Sequence, residues 1–192
     1  MSEHELIKLL RNNDPTACKM LVERHGDLVF NTALGLLLHR SDAEDIAQEV
    51  FAYAFQSVEK FRGEAKVSTW LYRITLSKSL DFLKAKKRAK RFGFLQSIYE
   101  PEGAKLAVDK PHFQHPGVLM EHQERAQILF LAIEKLQDNQ KTAFVLHKLE
   151  DLSYTEIAEV MALSLASVES LLFRAKQNLR QYLGNWYEQN RF

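Results

Sequence analysis

Glycine and proline are the residues a helix tolerates least, and in this chain of 192 residues they are few and unevenly placed. Of seven glycines and four prolines, three of each fall within Gly93 to Gly117, GFLQSIYEPEGAKLAVDKPHFQHPG. That stretch has no sustained apolar period and reads as a linker. On both sides of it, runs of Ala, Leu, Glu, Gln, Lys and Arg carry apolar residues at helical spacing. The expected fold is therefore mainly or wholly α, with a linker over 93–117; length alone does not separate one large domain from two small ones. A hydrophobic content of 46% suffices for packed cores, so wholesale disorder is excluded.

The first half breaks into helices at its capping signals. Asp14-Pro15 pairs a capping carboxylate with a proline suited to the first helical position, predicting a helix over about Thr16 to His25. Gly26-Asp27 reads as a break or bend, followed by a central core helix from Leu28 to Leu38. Ser41-Asp42 signals the next start, with Ile46, Val50, Tyr53 and Ala54 on its apolar stripe. Phe61-Arg62-Gly63 ends that helix and Ser68-Thr69 caps another, which buries Leu71, Ile74, Leu80 and Leu83.

Charge is sorted along this half. From Asp42 to Glu59 there are five acidic residues and no basic one; from Lys66 to Arg91 there are nine basic residues against Asp81 alone. A chain whose net charge is only +1 has thus built one acidic and one basic surface side by side, which suggests a basic partner and a polyanionic one. The basic segment also holds Trp70 and Tyr72. Cations for phosphates beside aromatic rings for unstacked bases equip a surface for single-stranded nucleic acid.

In the second half, Ile128, Leu129, Leu131, Ala132 and Leu136 form the first apolar face, and Asp138 opens the next helix. Ser153-Tyr154-Thr155-Glu156 has the form of a capping box. A short helix through Met161, a turn at Ala162-Leu163-Ser164 and a longer helix from Leu165 to Leu183 make a helix-turn-helix candidate, which periodicity alone does not separate from any helical hairpin in a bundle. In the long helix Val168, Leu172, Ala175 and Leu179 share one face, while Ser170, Arg174 and Gln177 lie opposite.

Other classes of function are excluded on composition. The single cysteine, Cys18, cannot close an intramolecular disulfide and reads as a packing residue in a reducing, cytoplasmic protein. No run of about 18 apolar residues exists to insert in a membrane. No Gly-rich phosphate loop or nucleophile with its base is present, so no catalytic residue is expected. His112, His115 and His122 lack a credible set of co-ligands, so neither a metal nor another cofactor is expected.

Together these segments resemble a bacterial RNA polymerase sigma factor of the extracytoplasmic-function (ECF) group. The resemblance spans nearly the whole chain and rests on DAEDIAQEVFAYAF, on FRGEAKVSTWLYRI with SKSLDFLKAKKR, and on YTEIAEVMALSLASVESLLFRAKQNLR, in that order. It implies an all-α fold of two small helical domains joined by a flexible linker over 93–117, residues 1–92 being sigma region 2 and residues 118–192, a helix-turn-helix four-helix domain, region 4. It implies docking on the polymerase core by Asp42, Asp45, Gln48, Glu49 and Phe51. The −10 promoter element is then met by Phe61, Lys66, Trp70, Tyr72, Arg73, Ser77, Lys78, Asp81, Lys84 and Lys87. The −35 element is met by Ser167, Glu169, Ser170, Leu171, Phe173 and Arg174. Partners implied are RNA polymerase core, promoter DNA and an anti-sigma factor, often membrane-bound in the family. The family commonly has basic residues at the positions of Glu169 and Leu171, and glycines at those of Ala162 and Ala166. A stand-alone helix-turn-helix regulator would account for Ser153 to Leu183, but leaves the sorted charge of the first half unexplained.

Overall fold

The computed structural model describes residues 2–99 and 123–189, and every regular element among them is helical. In the first half, α1 (Glu3–Arg11) is capped by Ser2, whose Oγ accepts the Glu5 N–H. α2 (Pro15–Leu37) starts at Asp14, whose Oδ1 accepts from the N–H groups of Thr16 and Ala17 at 2.7 and 3.3 Å. α3 (Arg40–Ser57) leads through a 3₁₀ turn (Val58–Lys60) and a loop to the long α4 (Val67–Tyr99). The second half holds α5 (Gln123–Glu134), α6 (Asp138–Lys148), α7 (Tyr154–Met161) and α8 (Leu165–Gln189).

Several expectations from the sequence are corrected. Gly26-Asp27 does not break the chain: α2 runs straight through it. A glycine in a helix interior costs about 1 kcal/mol, and the buried anchors on either side, Leu21 and Val29, outweigh that. α3 begins at Arg40 with His39 as cap, slightly ahead of Ser41-Asp42, and α4 begins at Val67, so Ser68-Thr69 lie in its first turn. α4 also continues to Tyr99, past the expected start of the linker at Gly93. Residues 100–122, with the rest of that linker and the histidines at 112, 115 and 122, lie outside the described residues. In α5 the packed face is Phe130, Ala132 and Ile133, joined by Leu136 just beyond the helix, whereas Leu129 and Leu131 are exposed.

Leu6, Leu21, Val29, Val50, Val67 and Leu71 close the core of the first half with almost no exposure. Burying each such side chain is worth about 1.5–3 kcal/mol. The second half has two smaller clusters, one around Leu146, Ile157, Val168 and Leu172, the other around Phe130, Ile133, Leu136 and Leu179. Neither is built from the second half alone. Leu36, Tyr72 and Leu76 enter the first cluster and Leu38 the second. Leu38 ends α2 in the left-handed conformation, φ 58°, where glycine is the usual residue. Its side chain is 2% exposed, so burial against the second half offsets the strain of that backbone.

Candidate functional site

α3 presents two faces because its apolar residues recur at helical spacing. Ala43, Ile46, Val50 and Ala54 are buried, leaving Glu44, Asp45, Gln48 and Glu49 exposed along the opposite side. Of the five residues expected to meet a basic partner, Asp45, Gln48 and Glu49 lie on this outer face. Phe51 is 8% exposed and belongs to the core. Asp42 is largely covered and accepts from Lys86 Nζ of α4 at 2.9 Å. Glu49 likewise pairs with Lys78 at 3.2 Å. The acidic and basic helices are thus tied to each other by two ion pairs.

Along α4, Trp70, Arg73, Ser77 and Asp81 recur at intervals of three to four and, with Lys78, line one open groove of about 710 Å³ with Glu49 and Tyr53 of α3. Tyr53, read from the sequence as a core residue, is 44% exposed here, and Lys78 Nζ lies 5.6 Å from its ring centroid. Its spacing of three from Val50 puts it on the apolar side of the helical wheel and gives no signal that separates rim from core. Trp70 is half-buried: Phe61, itself 9% exposed, packs on it with ring centroids 4.9 Å apart. Phe61 is a support under the groove, held by Arg11 Nη2 of α1 donating to its carbonyl at 2.7 Å. The loop from there to α4 turns at Gly63 with φ +76°, a conformation that side-chain-bearing residues rarely adopt.

Lys84 is exposed and 3.4 Å from Asp81 on its own helix. The remaining residues of the set, Lys66, Tyr72 and Lys87, face the second half, and the guanidinium of Arg73 reaches from the groove to the same side. Tyr72 is 6% exposed and donates its hydroxyl to Glu150 Oε2 at 3.1 Å. Arg73 Nη2 donates to the Glu159 carbonyl at 2.8 Å, Lys87 pairs with Asp138 at 2.9 Å, and Lys66 lies 3.8 Å from Glu156. Burial and the neighbouring Glu150 push the Tyr72 hydroxyl well above its ordinary titration range. Burial also raises the Glu150 carboxyl to about 7, and its Oε1 is enclosed with no partner.

In the second half, Ser153 and Glu156 form the capping box the sequence predicts: Ser153 Oγ accepts the Glu156 N–H while Glu156 Oε2 accepts the Ser153 N–H. Ala162 makes the turn at φ 53°, and Ser164 Oγ accepts the Ser167 N–H to start α8. Ser167, Glu169, Ser170, Phe173 and Arg174 stand exposed on α8, with Phe173 at 62%. Leu171 is half-buried against the core.

A family model for Sigma-70 region 2 matches residues 21–89, and one for Sigma-70, region 4, matches residues 126–179. The ECF RNA polymerase sigma-E factor of Haemophilus influenzae is 33% identical, over 92% of this chain and 93% of that protein. The chain belongs to the ECF sigma factors. The sigma-E factor of Escherichia coli K12 is 30% identical, over 92% of each chain. Among solved structures, CnrH in complex with the cytosolic domain of CnrY superposes with a TM-score of 0.66 at 21% identity, covering 95% of this chain and 97% of that one. RpoE of Bartonella quintana in complex with the anti-sigma factor NepR gives 0.62 at 19%, covering 86% and 96%. These two likenesses concern the fold. As an RNA polymerase sigma factor, this protein directs promoter-specific transcription. No helix among the described residues is long and apolar enough to cross a membrane, and those residues hold no cluster of metal-ligating side chains.

Proposed function

We propose a division of labour within this sigma factor. The outer face of α3, with Asp45, Gln48 and Glu49, docks on a basic surface of the polymerase core, while α4 takes the −10 element and α8 the −35 element. The observation that carries this reading is the groove in which Trp70, Arg73, Ser77 and Lys78 line up on α4 directly beside the acidic helix. A base leaving the duplex loses its stacking, and a strand is captured only if a protein surface replaces it. Trp70, backed by Phe61, offers an aromatic face, and Arg73, Lys78 and Lys84 offer cations for the phosphates. The ion pairs Asp42–Lys86 and Glu49–Lys78 couple the two helices, so docking fixes where along the DNA the strand is held.

Nothing in this mechanism needs a catalytic group on the chain; the polymerase carries out nucleotidyl transfer. The protein acts in the cytoplasm with core and promoter. An anti-sigma factor is a further partner, a reading supported by the two fold neighbours solved with CnrY and NepR. Separation of function tests the scheme. Asp45→Lys with Glu49→Lys is expected to abolish capture by polymerase core. Trp70→Ala is expected to keep core capture and lose permanganate reactivity of −10 thymines. Loss of both properties in both variants, or of neither, contradicts the assignment. A stand-alone regulator would bind promoter DNA at full strength without core.

A further inference from the structure

A cavity of about 170 Å³ lies where the first turn of α6 meets α4 and the junction of α2 with α3. Lys86, Lys87 and Lys90 line it from α4, where spacings of three and four put them on one side of the helix. Lys141 lines it from α6, and Leu37, Leu38 and Leu83 supply apolar walls. Carboxylates of the chain balance only part of this charge. Asp42 holds Lys86 and Asp138 holds Lys87, each at 2.9 Å. The Lys90 and Lys141 side chains make no ion pair or hydrogen bond among the described residues. Of the carboxylates lining the cavity, that leaves Glu134, which is exposed, to oppose them.

Lys141 is 5% exposed, and burial lowers its amine to about 8 while Glu134 and Asp138 oppose that shift. A buried ammonium is costly without a partner, and no side chain here bonds to it. The turn that carries it is also uncapped. Gln137 stands at the cap of α6 without a side-chain bond, so the N–H groups that open the helix keep their partial positive charge. We infer that this cavity is an anion site for a phosphoryl group of one or two phosphates, held by Lys141, Lys90 and the opening turn of α6. A tetrahedral phosphate presents oxygens in several directions at once, which suits ammonium groups arriving from two helices; lysine serves it as a point charge and a helix N-terminus as a dipole. Pockets that enclose a drug-sized ligand run to about 300 Å³ or more, so this one encloses the phosphoryl group and leaves any base and sugar attached to it outside. Neither Lys90 nor Lys141 belongs to the surfaces assigned above to polymerase core or promoter.

Isothermal titration calorimetry of the full chain with sodium pyrophosphate, in a phosphate-free buffer of fixed ionic strength, tests the site. Wild type is expected to bind with a dissociation constant below about 1 mM. Lys141→Met is expected to bind at least tenfold more weakly, and Lys90→Ala, at an exposed position whose change leaves the fold intact, severalfold more weakly. Lys148→Ala removes the same charge from the far end of α6 and is expected to bind as wild type does. Thermal melts give a second readout: pyrophosphate should raise the midpoint of wild type and leave that of Lys141→Met in place. Orthophosphate and ATP separate the sources of the group. Binding of ATP as tight as that of pyrophosphate assigns the phosphate tail of a nucleotide, binding of pyrophosphate or orthophosphate alone assigns a free ion, and either upholds the site. The inference is overturned if wild type shows no saturable binding of pyrophosphate, or if Lys141→Met binds it unchanged. It is also overturned if Lys148→Ala loses as much affinity as Lys90→Ala, which would reduce the effect to net charge.

Discussion

Replacing Glu150 by glutamine removes a titrating group from the contact between the halves while keeping an oxygen for the Tyr72 hydroxyl, 3.1 Å away. Burial is the main cause that raises this carboxyl from its ordinary 4.5 to about 7, with Asp151 adding to it and the Tyr72 bond opposing it. The folded carboxyl keeps its proton to a higher pH than the unfolded one. Folding therefore takes up a proton between these two values, and the contribution is fully present below 4.5 and lost as pH rises through about 7. At 1.36 kcal/mol per pKa unit, the full loss is on the order of 3 kcal/mol, and solvent at the open side of the carboxyl brings it to about 2 kcal/mol. Urea unfolding followed by tryptophan fluorescence at steps of pH 4.5 to 8 is the assay. Wild type is expected to lose about 2 kcal/mol relative to Glu150→Gln across that range. Parallel curves for the two proteins would refute the reasoning.

Three further outcomes are expected. Ala162→Gly relieves a left-handed backbone, φ 53°, at the turn before α8 and should raise stability by about 1 kcal/mol in thermal melts; an unchanged or lower midpoint contradicts this. Lys141 is 5% exposed and burial lowers its amine to about 8, so Lys141→Met should stabilise the protein by about 1–3 kcal/mol at pH 7. That gap should narrow as pH rises above 8, where the folded wild type sheds its proton before the unfolded chain does; a constant gap would count against the buried charge. Glu169→Lys, on the exposed face of α8, should shift the −35 sequences recovered by selection and steepen the salt dependence of binding by about one phosphate contact. Identical selected sequences would remove Glu169 from the reader.

The helices themselves were legible because their end signals are local. Asp14, Ser153 with Glu156, and the turn at Ala162 to Ser164 act on backbone groups within a few residues, and each stands where the sequence places it. Gly26 misled because helix propensity is a weak local term, overridden by burial of Leu21 and Val29 in a distant core. The same limit explains Tyr53 and Phe61. Apolar periodicity assigns a face to a residue, yet whether that face is groove rim or core depends on which helix lies opposite. The contact between halves was invisible for a related reason. Tyr72 meets Glu150, 78 residues away, and the charge pattern that marks Lys66 and Lys87 as cations is the same whether their partner is a phosphate or a carboxylate of the same chain.

Run-off transcription with polymerase core on a pool of genomic promoter fragments tests the central claim most directly. Core supplemented with this chain is predicted to initiate at a discrete set of start sites that core alone does not use, and Trp70→Ala is predicted to lose those transcripts. Transcription no different from core alone would contradict the account.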